Sequence, residues 1–110
     1  MYRQLIKSVA VHGKSATFDA IRRELRLGFI GQLGGANVVE QDSGEASVVV
    51  GLPQTSPFIR SLRWETDLKK VGPEGFRIRT VRDADRFIIV IASTTDIGAL
   101  YGSFHFLRLL

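Results

Sequence analysis

The chain has 110 residues, a net charge of +4 and no cysteine, which bounds it to one domain and excludes disulfides, thiol catalysis and thiolate zinc sites. Hydrophobic residues make up 45% and charged residues 24%, an ordinary balance for a globular domain, and no run of about 18 apolar residues offers a transmembrane helix. The positive charge comes mainly from eleven arginines against four lysines; these are scattered, with few aromatics between them, which argues against a nucleic-acid binder.

Residues 2–11 read as a strand rich in β-branched positions, with His12-Gly13-Lys14 as the turn that follows. Ser15 or Thr17 caps the next helix, and Asp19 falls in its first turn, where the helix dipole favours a negative charge. Phe18, Ile21, Leu25, Phe29 and Leu33 recur at spacings of three and four, one apolar helix face, with Gly34-Gly35 as its end. Val38-Val39 suggests a short strand. Residues 46–51, ASVVVG, form a strand without alternation, which suits burial on both faces. Ser56-Pro57 opens a short helix to about Leu62, and 67–70 add another helical turn. Residues 76–81, FRIRTV, alternate, while 87–92, FIIVIA, are continuously apolar. The short polar turn between them predicts a β-hairpin whose second strand is central and whose first is covered on one face. The order β-α-β-β-α-β-β-α predicts an α+β fold, a mixed sheet with helices packed mainly on one face.

The last 24 residues carry the most information. FIIVIASTTDIGALYGSFHFLRLL runs from strand through a Thr-Thr-Asp cap into an apolar helix with Gly98 and Gly102 four apart. Thr94 or Thr95 accepts an amide bond, Asp96 opposes the dipole, and the two glycines make a bare stripe for close packing on the sheet. Glycine inside a helix costs about 1 kcal/mol against alanine, so it needs such a packing reason. Leu107, Leu109 and Leu110 carry no glycine, asparagine or proline after them, which predicts a domain cut from a longer protein.

Residues that look chemical have simpler structural readings. GQLGG at 31–35 follows a helix, whereas a phosphate loop follows a strand and opens a helix. Asp83 and Asp85 flank a hairpin tip without the walls that raise a carboxyl pKa, so no acid–base pair is expected. The hydroxyls of 93–95 have no histidine in sequence context to activate them. His12 and His105 are the only histidines, too few for a histidine-rich metal site, and His105 lacks a second ligand at i+4. Neither a metal nor a cofactor is expected.

The segment DIGALYGSFHFLRLL after FIIVIAST resembles the end of the N-terminal domain that precedes the catalytic barrel in β-hexosaminidases and α-glucuronidases. LKKVGPEGFRIRT at 68–80 resembles the α-glucuronidases of glycoside hydrolase family 67 more closely. So does the early helix SATFDAIRRELRLGFIGQLGG, with Glu24-Leu25 and Leu27-Gly28 before a Leu-Gly end. The resemblance implies a zincin-like fold (hexosaminidase domain-2-like) without the His-Glu-x-x-His motif. It implies a parent enzyme that removes glucuronic acid or its methyl ether from xylooligosaccharides with inversion, using carboxylates in the barrel. Nothing in this chain matches those motifs, so no catalytic residue is expected in it. The expected partner is a barrel following in the same chain. Tyr101, Phe104, Leu107 and Leu110 are the expected contact to it, and self-association through that apolar surface is expected in its absence. A β-hexosaminidase-like parent and a free-standing anion-binding domain are the alternatives.

Overall fold

Period-two placement of small and branched side chains becomes three rows once the strands are aligned. A computed structural model describes residues 8–33, 39–40, 47–83 and 86–109. Its elements in chain order are β1 (Ser8–His12), α1 (Ala16–Leu33), β2 (Val39–Glu40), β3 (Val48–Gly51), α2 (Pro57–Ser61), α3 (Glu65–Val71), β4 (Arg77–Asp83), β5 (Arg86–Ala92) and α4 (Asp96–Arg108). The five strands form one sheet in the order β2-β1-β3-β5-β4. All neighbours are parallel except the β4–β5 hairpin. This is the expected mixed α+β sheet.

Register sets Val9 beside Val48 and Val48 beside Ile89, and likewise Val11, Val50 and Ile91. These two rows face Phe18, Ile21 and Leu25 of α1 and Ala99 and Phe106 of α4. The intervening row, Ala10, Val49 and Val90, faces the other way, against Ile59 of α2 and Leu68 of α3. A parallel strand buried on both faces needs apolar side chains at every position, which is why residues 48–50 and 88–92 show no alternation. The two long helices thus share one face, and two short ones close the other. Burying a side chain such as Ile21 or Ile89 contributes about 1.5–3 kcal/mol.

Several sequence expectations sharpen. Ser15 is the cap of α1, its hydroxyl accepting the Phe18 amide at 3.1 Å. Ser56 caps α2 with Pro57 at its first position, as the Ser-Pro pair predicts. β5 is central, paired on both sides. The first hairpin strand differs from the expectation of one covered face. Ile78 of β4 reaches the α1–α4 side and Val81 the α2–α3 side, because an edge strand in a sheet covered on both faces meets both layers. Residues 2–7, Gly34-Gly35 and the 84–85 hairpin tip lie outside the described residues.

Candidate functional site

Helix α4 holds the residues singled out by the sequence, and its orientation is fixed at its start. Thr95 is extended (φ −135°, ψ 158°) and its hydroxyl accepts the Gly98 amide at 3.1 Å. The same hydroxyl donates to the Pro73 carbonyl. Next to it, Asp96 accepts the Ser15 hydroxyl at 2.7 Å. One carboxylate therefore sits at the amino ends of both long helices, where both dipoles favour it. Ser93 donates to the Gly75 carbonyl at 2.6 Å, drawing the 72–76 turn against the same helix end.

The inward face of α4 carries Gly98, Ala99, Gly102, Ser103 and Phe106, all buried. The buried Ser103 hydroxyl is satisfied by the Ala99 carbonyl at 2.9 Å, so it adds no unpaired polar group. Gly102 lets the helix close on β5: a Cβ there would lie 2.8 Å from Ile91 Cγ2 and 3.0 Å from Phe76 Cγ. The glycine stripe is a packing stripe, against β5 and against the turn before β4.

The outward face is apolar over two turns. Ile97 is 37% exposed and Tyr101 is 42% exposed, with half-buried Phe104 next along the stripe at i+7 from Ile97. Of the described contact residues, Tyr101 is more open to solvent than half-buried Phe104 and Leu107. Leu107 is half-buried and leans on α1, where a Cβ at Gly28 would lie 2.5 Å from Leu107 Cδ2. Leu110 lies outside the described residues. Ile97 was not picked out from sequence; its place at i−4 from Tyr101 is the signal that would have found it. His105 is exposed, and its ring rests 5.5 Å from that of Phe76, in keeping with a packing role.

One pairing that sequence reasoning missed occurs at the carboxyl ends of the strands. His12 Nδ1 and Ser56 Oγ, 44 positions apart, approach to 2.7 Å. A serine–histidine pair invites a nucleophilic reading, but Ser56 is 0% exposed. Its oxygen also accepts the Ile59 amide at 3.2 Å as the α2 cap, so a substrate carbonyl has no approach to it. The neighbouring Thr55 donates to the His12 carbonyl at 2.6 Å. These bonds tie the end of β1 to the start of α2.

Asp19 and Asp67 are taken up by ion pairs, to Arg22 at 3.1 Å and to Arg77 at 2.8 Å. Arg77 also lies 5.2 Å over the Trp64 ring. Among the described residues no group of three or more histidine or carboxylate side chains is placed to hold a metal ion. No described helix is long and apolar enough to cross a membrane.

Comparison with curated proteins finds no match. Comparison with protein families matches residues 1–106 to the one described as "Glycosyl hydrolase family 67 N-terminus". The match spans the capped helix α1, the 68–80 segment and nearly all of α4, the three stretches that carry the resemblance. The chain therefore belongs to the N-terminal domain family of glycosyl hydrolase family 67, the α-glucuronidases.

Proposed function

We propose that this domain performs no chemistry itself and is the accessory domain of a xylan-directed α-glucuronidase, docked through the outward face of α4 onto a catalytic barrel in the same chain. In this reading the barrel hydrolyses α-1,2-linked glucuronic acid, or its 4-O-methyl ether, from xylooligosaccharides with inversion. The family match over residues 1–106 carries the proposal. The engagement of Asp96 with the α1 cap and the burial of Ser56 as the α2 cap support it, because a general acid or a nucleophile must be free to meet substrate. Exposed Ile97 and Tyr101, with half-buried Phe104 next in line, form the docking stripe: apolar residues open to solvent along one helix mark a surface that another surface covers.

The test compares the 110-residue chain with the full-length parent on aldouronic oligosaccharides. The parent is expected to release glucuronic acid and the isolated chain none. Release by the chain alone, or a parent inactive on every uronosyl xylooligosaccharide, would overturn the reading.

A further inference from the structure

β1, β3 and β5 run parallel, so their carboxyl ends share one edge of the sheet. Open sheets of this kind bind ligands at that edge, where loops rather than strands line the surface. A hollow of about 310 Å³ opens there, and a second of about 470 Å³ adjoins it over α2; both are lined by Arg60 and Glu65. The loops after β3 and β5 contribute Gln54 and Thr94 to the first, where Lys69 of α3 joins them. Arg63 and Ser61, from the turn between α2 and α3, line the second.

Three cations, Arg60, Arg63 and Lys69, and one carboxylate, Glu65, line this groove. Arg22 and Arg77 are ion-paired, whereas no described carboxylate lies within ion-pairing distance of Arg60, Arg63 or Lys69. Arg60 is steadied by its Nε donating to the Pro53 carbonyl at 2.9 Å. That bond leaves the two terminal nitrogens, the fork that matches a carboxylate. Arg63 has φ of 58°, a left-handed conformation that glycine adopts at far lower cost. An arginine stands where the backbone asks for glycine, and its side chain lines the groove.

We propose that this groove is a second, non-catalytic binding site for an acidic oligosaccharide, with Arg60, Arg63 and Lys69 meeting its carboxylates and Gln54, Ser61 and Thr94 its hydroxyls. Two hollows that share Arg60 and Glu65 as a common wall fit a ligand longer than a single small anion. A nucleic-acid strand fits poorly, because bases need an aromatic platform. The nearby Trp64 ring lies under Arg77, and Phe58 is half-buried against the core. The groove lies on the α2–α3 side of the sheet and α4 on the opposite side, so docking through α4 leaves it open. The site rests on the proposed accessory role only for its place beside an enzyme acting on acidic xylan, not for its binding chemistry.

Calorimetric titration of the 110-residue chain tests this with three probes: a glucuronic-acid-substituted xylooligosaccharide, the unsubstituted chain of equal length, and a single-stranded oligonucleotide. The substituted oligosaccharide is expected to bind about ten-fold or more tighter than the neutral one. Arg60→Ala with Lys69→Ala is expected to remove that difference, while Arg23→Ala on the far face leaves it unchanged. Arg63→Gly removes a groove cation while relieving the backbone, so weaker binding by that variant is not a folding defect. Equal affinity for both oligosaccharides, an unchanged Arg63→Gly variant, or tighter binding of the oligonucleotide would overturn the proposal. Each of those results leaves the accessory-domain reading standing, since that reading is judged by the activity of the parent.

Discussion

Gly98 and Gly102 sit four apart on α4 and meet different neighbours. A Cβ at Gly98 would lie 2.0 Å from Ser93 Oγ and 2.5 Å from the Gly75 carbonyl oxygen. Alanine there gains about 1 kcal/mol in helix propensity, but overpacking against fixed backbone costs about 1–3 kcal/mol or more. Gly98→Ala is therefore expected to lower stability, read as an earlier denaturant midpoint at unchanged slope. Arg63 gives the opposite sign. Its left-handed backbone costs about 1–2 kcal/mol, and glycine returns about 0.5–1 kcal/mol of that in chain entropy. Arg63→Gly is expected to raise stability by about 0.5–1 kcal/mol in the same measurement. The need for glycine at 98 and 102 was legible from their helical spacing. The strain at Arg63 was not, because an arginine in a turn carries no mark of its backbone angle. Nor was the meeting of His12 with Ser56, 44 positions apart.

At the scale of elements, capping signals read from single residues proved to be joined. Ser15 caps α1 and Asp96 lies in the first turn of α4, and the two meet at 2.7 Å. Ser15→Ala removes a cap worth about 0.5–2 kcal/mol and one partner of a charge-assisted bond. A double-mutant cycle of Ser15→Ala and Asp96→Asn is expected to show coupling of about 1 kcal/mol. Additive effects in thermal or urea unfolding would mean that each residue serves its own helix alone. Helix α1 was read closely from its apolar spacing, and Pro57 placed the start of α2. The strands were recognised as strands and the β4–β5 hairpin as a pair, but the parallel partners were not. Parallel pairing of β1 with β3 and of β3 with β5 joins segments far apart in sequence, and no local turn announces it.

Over the whole molecule, two surfaces on opposite sides of the sheet remain to be explained by partners: the apolar stripe of α4 and the basic groove over α2 and α3. The stripe is expected to drive weak self-association of the isolated chain, through Ile97 and Tyr101. Sedimentation velocity across a concentration series checks this. Ile97→Glu with Tyr101→Glu is expected to give a monomer at all concentrations with the fold intact, since both side chains lie outside the core. A wild-type chain that stays monomeric at high concentration would count against the stripe as a docking face.

The sequence by itself determined the α+β class, the capped helices, the central apolar strands and the family, because these rest on local periodicity, on turn chemistry and on continuous motifs. Only the tertiary structure decided which helix faces which side of the sheet and that Leu107 leans on α1 while Ile97 and Tyr101 turn outward. It also brought Arg60, Arg63 and Lys69 together along one groove. Those facts depend on strand order and register, which bring distant segments together through burial rather than through any signal that neighbouring residues carry.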